Sequence, residues 1–513
     1  MKNHNLFVAL RAAFPADLER TAIETADGPG APLYYTWRDL ERGTAMLANL
    51  LAGLELPAGA RVAVQTEKSV EALMLYLAVL RAGYVYLPLN TAYQAAEIEY
   101  FIGNAEPSVV VCARKHFGWV SKIAFNAGTA HVFTLDDDRS GSLLDRAAMC
   151  SDQHLPVPRA ENDLAAILYT SGTTGRSKGA MLTHGNLLSN ARVLKDYWGW
   201  RSDDVLIHAL PIFHVHGLFV ASHGALLAGA KMIWLAKFDP RKVIERLPEA
   251  TVFMGVPTLY VRMLAEPSLS RQACAHMRLF IAGSAPLLIE TFNEWAERTG
   301  HVILERYGMS ETVMLSSNPY DPAQGERRGG TVGFPLPGVG LRIRDDKGHP
   351  LPAGEIGNIE VKGPNVFKGY WRMPEKTAED FTTDLWFKTG DVGKVGADGY
   401  VSIVGRSKDL IISGGYNVYP AEVEDCINQM PGVAESAVVG VRHADFGEAV
   451  VAVVVPKPGA ALDGAAITAA LKSRIANFKV PKAVFVLADL PRNAMGKVQK
   501  NLLREQYKTL FVA

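Results

Sequence analysis

The segment Tyr169-Thr170-Ser171-Gly172-Thr173-Thr174-Gly175-Arg176-Ser177-Lys178-Gly179-Ala180 holds the densest chemistry in the sequence. Its glycines let backbone N–H groups turn toward an anion, its hydroxyls supply neutral donors, and Arg176 and Lys178 add positive charge. Such a combination suits a polyphosphate. The G-x-x-x-x-G-K-[ST] spacing of the common phosphate loop is absent, so a different cradle is implied.

The elements around that segment read as α/β. An apolar run, Leu164 to Leu168, predicts a buried strand leading into it, and Thr183-His184-Gly185-Asn186 predicts a helix start after it. Upstream, Arg61 to Gln65, Tyr84 to Leu87 and Ser108 to Cys112 read as strands, with helical spacing over Leu40 to Leu54 and Ser69 to Ala82. Downstream, strands are expected at Lys231 to Leu235, Thr251 to Met254, Arg278 to Ala282 and Val302 to Leu304. Helices are expected from Pro257 through Met263 and over Glu290 to Arg298. This alternation implies α/β layers on a largely parallel sheet, whose strand carboxyl ends gather ligands. From Gly329 the texture changes to short strands broken by Gly and Pro, which suggests a small antiparallel sheet or barrel. After the glycine-rich stretch Gly405 to Gly415, helix (Glu422 to Gln429), two strands (Ser436 to Val441, Val450 to Val455), helix (Ile467 to Phe478) and strand (Ala483 to Leu487) form an α+β unit. Its roughly 100 residues suffice for a separate domain.

At 513 residues the chain exceeds what one core usually serves. Lys plus Arg and Asp plus Glu are both 53, so no global field recruits nucleic acid or a membrane surface. The four cysteines lack metal-site spacing and read as reduced thiols of a cytoplasmic protein. No signal-peptide pattern opens the chain, and no apolar run reaches the ~20 residues that span a bilayer.

Further motifs stand in order: Pro211-Ile212-Phe213-His214, Tyr307-Gly308-Met309-Ser310-Glu311-Thr312, Phe387-Lys388-Thr389-Gly390-Asp391, Gly405-Arg406-Ser407-Lys408-Asp409 and Pro491-Arg492-Asn493-Ala494-Met495-Gly496-Lys497. With the opening segment they resemble the core motifs of the acyl-adenylate-forming (AMP-forming) acyl-CoA synthetase superfamily over essentially the whole chain. Gly255-Val256-Pro257-Thr258, Leu304-Glu305-Arg306-Tyr307 and Val361 to Trp371 are similar to malonyl-CoA synthetases.

The resemblance implies a large N-terminal AMP-binding domain, 1–408, with a small barrel-like part, and a small mobile C-terminal domain, 409–513, hinged near Asp409. It implies two half-reactions, with ATP and coenzyme A as co-substrates and Mg²⁺ as cofactor. A carboxylate attacks ATP to give an acyl-adenylate and pyrophosphate; a CoA thiol then displaces AMP. Lys497 matches the lysine bridging carboxylate and α-phosphate. Glu311 matches the Mg²⁺ carboxylate, with Thr170 beside the metal. Thr170, Ser171, Gly172, Thr173, Thr174, Gly175 and Lys178 would hold phosphates. Gly283, Ser284 and Ala285 would border adenine, Tyr307 would stack on it, and Gly308 and Ser310 would adjoin it. Asp391 and Arg406 match the ribose contacts. His214 matches the gate between nucleotide and acyl pockets. Gly414 and Gly415 would line the thiol channel, and Lys472, Arg474, Lys479 and Lys482 could meet CoA phosphates.

For the substrate, the resemblance implies a dicarboxylate, malonate with methylmalonate tolerated. Arg262 matches the arginine that takes the distal carboxylate, with His214, Ala282, Gly283 and Met309 lining the pocket. Ala282 stands where such enzymes often carry Ser, removing one hydroxyl. Other short-chain acyl-CoA ligation, or loading of a carrier protein by a stand-alone adenylation enzyme, remain as alternatives; a degenerate nucleotide-binding homologue is opposed by intact Lys497, Glu311 and Asp391. A lysine acetyltransferase acting on Lys497 would remove its charge.

Overall fold

Two largely parallel sheets, each covered by helices, carry most of the chain. The structure is a computed structural model, and it describes residues 3–26, 31–170, 177–414, 416–443, 445–493 and 496–511. One sheet runs, in spatial order, His131–Thr134, Val109–Cys112, Arg61–Gln65, Val85–Pro88 and Leu164–Thr170, all parallel. Its last strand, Lys178–Thr183, folds back antiparallel on Leu164–Thr170. The helix Val70–Arg81 is buried along its whole length, which explains its nearly continuous apolar run, and Ser69 caps it by accepting from Ala72 N–H.

The second sheet is nine-stranded among the described residues and parallel from Thr21–Thr25 through Lys231–Trp234, Val205–His208, Val252–Gly255 and Leu279–Ala282 to Leu304–Met309. Antiparallel strands finish both edges. One hydrophobic cluster runs through both sheets, from Leu6 to Phe387. The Gly/Pro-rich part is a four-stranded antiparallel sheet of Gly340–Arg344, Gly357–Lys362, Phe387–Val395 and Val401–Arg406. The C-terminal part builds its own sheet on the long pair Val433–His443 and Gly447–Pro456, with two small cores.

Three expectations are corrected. The phosphate segment does not pass from strand to helix: Lys178–Thr183 intervenes as a strand, and the helix starts at His184 behind a Thr183–Asn186 capping box. The strand expected at Val302 to Leu304 begins at Leu304 and continues to Met309, because it pairs both with Leu279–Ala282 and with Val313–Ser317. The helix expected over Ile467 to Phe478 spans Gly464–Leu471, followed by a 3₁₀ turn at Asn477–Lys479; Asp463 caps it earlier than the apolar pattern suggests. Among the described residues, no helix is long and apolar enough to cross a membrane. The four cysteines are free thiols, with Cys112 and Cys274 buried.

Candidate active site

Parallel strands Val252–Gly255, Leu279–Ala282 and Leu304–Met309 end side by side, in register Gly255↔Ala282 and Ala282↔Glu305. Their carboxyl ends deliver the loops at Gly283, Ser284 and Ala285 and at Ser310 and Glu311. Ser284 holds φ +73, a left-handed conformation uncommon for a residue with a side chain, and its hydroxyl lies 3.3 Å from His216 Nδ1. Gly283 is buried against Arg306: a Cβ there would stand 2.5 Å from Arg306 Nη1.

The antiparallel sheet supplies a second wall. Asp391 and Arg406 are cross-strand partners, and Arg406 Nε reaches Asp391 Oδ1 at 2.8 Å. Tyr307 donates its hydroxyl to Asp391 Oδ2. The Asp391 carboxylate pushes the Arg406 guanidinium up, and burial followed by Asp391 pushes the Tyr307 phenol far above its usual value. Asp391 thus faces the cleft with its position fixed from two sides.

Glu311 is buried, which raises its carboxyl above the usual range, and Tyr370 donates to its Oε1 at 3.1 Å. No ion pair reaches Glu311 among the described residues. Lys178 Nζ sits 4.2 Å from the Tyr370 ring centroid and 3.5 Å from Asp380 Oδ2. Thr170 is the register partner of Lys178 across the hairpin. Ser171, Gly172, Thr173, Thr174 and Gly175, and Gly415, expected at the thiol channel, lie outside the described residues.

The C-terminal part brings Lys497 into this cleft. Asn493 accepts the Lys497 N–H at 3.0 Å and donates its own N–H to the Lys497 carbonyl at 2.9 Å. Arg492 ties the same loop to Glu435 and to the Gly496 carbonyl. Burial, then the neighbouring Arg406, lowers the Lys497 ammonium to about 8; Asp391 and Glu311 act in the opposite direction. His214 is held down to about 3 by burial and by Lys497, so its imidazole is neutral. Its Nδ1 accepts the His216 N–H at 3.2 Å. Lys497, His214, Arg306, Glu311, Asp391 and Arg406 therefore share one electrostatic neighbourhood.

The structure spreads the other expected residues more widely. Arg262 is exposed near the end of the helix Pro257–Leu264, without a hydrogen bond or ion pair to another described residue. Ala282 is fully buried at its strand end, and Gly308, Met309 and Ser310 are partly open to the cleft. Asp409 lies in the turn Ser407–Asp409 and pairs with Arg504. Gly414 has φ +59 and lies against Phe446. In the basic cluster, Lys479 is paired with Glu422 and Lys482 rests on the Phe446 ring.

Sequence reasoning did not assign Arg306 and Tyr370. Arg306 is 2% exposed, and none of its guanidinium nitrogens has a hydrogen-bond partner among the described residues. Burial pulls its guanidinium down to about 9 and pushes the neighbouring Glu305 carboxyl up to about 8. A charged pair inside a strand covered on both faces was the available signal. An unpaired buried charge is costly, so this guanidinium is suited to an anionic ligand.

Residues 13–371 match the family model described as AMP-binding enzyme, and residues 422–497 match that of the AMP-binding enzyme C-terminal domain. The chain is 35% identical over 481 residues to a malonate–CoA ligase of Arabidopsis thaliana, covering 87% of this chain and 78% of the relative. It is 36% identical to a feruloyl-CoA synthase of Amycolatopsis sp, over 92% of this chain and 94% of the relative. The ATP-bound crystal structure of MatB from Rhodopseudomonas palustris is 56% identical and superposes with a TM-score of 0.96, over 99% of this chain and 100% of that one. The apo structure of the same protein, with 99% and 100% covered, gives 0.85 at 55% identity.

Proposed function

The chain belongs to the AMP-binding enzyme family, and on that footing we propose that it joins malonate, and also methylmalonate, to coenzyme A through an acyl-adenylate. The carrying observation is Arg306, a buried guanidinium without a hydrogen-bond partner among the described residues, beside Gly283 and within the field of Lys497. A simple monocarboxylate has one charge, and Lys497 needs it at the reacting end. A dicarboxylate has a second, and Arg306 is placed to take it, with the bidentate geometry guanidinium favours. The malonate–CoA ligase relative and the likeness to MatB support the same reading.

In the first half-reaction a malonate oxygen attacks the α-phosphorus of ATP, and the bond to the β-phosphate oxygen breaks as pyrophosphate leaves. Lys497 offsets the charge between carboxylate and α-phosphate. Lys178 and the Thr170 to Gly175 segment hold the outer phosphates, and Asp391 with Arg406 holds the ribose. Such positioning and charge stabilisation supply most phosphoryl-transfer catalysis. In the second half-reaction the CoA sulfur attacks the acyl carbon, and its bond to the phosphate oxygen breaks as AMP leaves. We assign Asp409 as the hinge between 1–408 and 409–513 that lets the C-terminal part turn between the two steps.

Mg²⁺ fits the same site. Glu311 is a buried carboxylate with no cation paired to it among the described residues, and Mg²⁺ bound to nucleotide takes few protein ligands. The metal would neutralise phosphate charge there, with Glu311 holding it and Thr170 nearby. The free thiols accord with a cytoplasmic setting.

A pyrophosphate-release screen tests the reading. Malonate should lead, methylmalonate follow, and acetate and ferulate fall roughly a hundredfold or more behind, since both leave Arg306 unpaired. Equal turnover of acetate and malonate would sink it.

A further inference from the structure

Tyr370 lies in the Val361 to Trp371 stretch, to which the sequence assigns no chemical role, yet it links two parts of the nucleotide site. It is 3% exposed, and its backbone forms an antiparallel bridge to Ala180 in the strand that begins with Lys178. Three backbone hydrogen bonds extend that bridge. Met181 donates to Gly369 at 3.0 Å, Lys368 to Met181 at 2.9 Å, and Trp371 to Gly179 at 2.8 Å. On its other side, Phe367 N–H donates to the Glu311 carbonyl at 2.8 Å, and the Tyr370 hydroxyl donates to Glu311 Oε1 at 3.1 Å. The Lys178 ammonium lies 4.2 Å from the centre of the Tyr370 ring. One side chain thus touches the phosphate-side lysine with its face and the buried carboxylate with its hydroxyl.

A carboxylate on a short turn has several rotamers, and a hydrogen bond from a rigid, packed phenol selects one of them. The Tyr370 ring is itself fixed, edge-on to Phe367 at 4.8 Å between centroids, and the Tyr370 backbone N–H donates to Thr377 Oγ1 at 2.9 Å.

We propose that Tyr370 is a positioning residue for the metal–nucleotide complex, holding the Glu311 carboxylate in its binding rotamer and in register with the strand that carries Lys178. The proposal rests on the reading of Glu311 as the metal-binding carboxylate.

Tyr370→Phe tests it, because the ring, its packing and its contact with Lys178 stay while one hydrogen bond goes. ATP binding is measured by titration calorimetry at graded Mg²⁺, on the full-length protein, beside Glu311→Gln. Loss of one hydrogen bond to a charged acceptor should raise the Mg²⁺ needed for half-maximal ATP tightening by roughly tenfold. Malonate KM, and conversion of supplied malonyl-adenylate with CoA, should stay at wild-type values. If Glu311→Gln loses the Mg²⁺ dependence and Tyr370→Phe keeps the wild-type midpoint, the positioning role is overturned while the Glu311 assignment stands. If Glu311→Gln itself keeps the wild-type midpoint, the assignment of Glu311 falls and the proposal falls with it.

Discussion

Gly496 and Thr258 meet where the C-terminal loop enters the cleft. A Cβ on Gly496 would stand 2.9 Å from the Thr258 hydroxyl oxygen, and Gly496 holds φ +73. The residue before Lys497 is therefore constrained twice, by its own backbone and by the helix Pro257–Leu264 opposite. Lys497, at the end of this constrained loop, lies in the electrostatic neighbourhood of His214 and Arg306.

Gly496→Ala should accordingly damage adenylation selectively. A left-handed conformation costs a residue with a Cβ about 1–2 kcal/mol, and the close approach to Thr258 adds to it. Pyrophosphate release should fall tenfold or more, while thioester formation from supplied malonyl-adenylate stays within about threefold, since that step does not need this docking. Equal losses in both steps would refute the assignment.

The pH profile follows from Lys497. Its ammonium is lowered to about 8, with burial as the largest cause. The charged form needed for adenylation is thus lost as pH rises through about 8 in the free enzyme, and kcat/KM for pyrophosphate release should fall above that point with one ionisation. The stability consequence has the opposite sense. A lowered lysine weakens the fold while it is charged in the native state, and that cost disappears as pH climbs from about 8 toward the ordinary 10.5. Lys497→Met should therefore melt higher than wild type at pH 7, and the difference should shrink by pH 10. A profile flat to pH 10 would remove Lys497 from the step.

Much of this arrangement was legible in the residues. The strand Arg61–Gln65 has the bounds its apolar run suggests, and Ser69 caps the helix after it. What failed was non-local. Lys178–Thr183 is a strand because it pairs with Leu164–Thr170, whereas its residue types mark Lys178 to Ala180 as part of the glycine-rich segment ahead of the helix start at Thr183. The C-terminal helix begins at the Asp463 cap, and its apolar pattern continues past its end. Arg306 stayed hidden for a related reason. The sequence assigns it no role, and only the three-dimensional packing reveals that its nitrogens go unpaired among the described residues. The segment from Ser171 to Gly175 is a chemical recipe in the sequence, and its residues lie outside those the structure describes.

Two arginines can now be ranked. Arg306 is buried without a hydrogen-bond partner among the described residues, whereas Arg262 is exposed one helical turn beyond Thr258. Arg306→Gln should lower malonate kcat/KM by two to three orders of magnitude, on the order of the loss when a site's buried polar group is left mismatched, and change acetate turnover little. Arg262→Ala, removing a charge screened by solvent, should cost about tenfold or less. The reverse ranking, measured on the same malonate titrations, would return the distal carboxylate to Arg262.

Asp391 accepts from Tyr307 on one oxygen and pairs with Arg406 at 2.8 Å on the other, which leaves lone pairs on both for a diol. Asp391→Asn keeps the shape, removes the charge and places an amide donor where a ribose hydroxyl must donate. ATP affinity should drop tenfold or more, because hydrogen bonds to a charged group are worth about 1.5–3 kcal/mol. Tyr307→Phe removes only one of the two restraints, and Arg406 still holds the carboxylate, so ATP KM should rise about two- to fivefold. Malonate KM should move in neither variant, since Asp391 is proposed to contact only the ribose. If ATP KM stayed at wild type in Asp391→Asn while malonate KM rose, Asp391 would belong to the acyl pocket and the nucleotide would have to be turned around in the cleft.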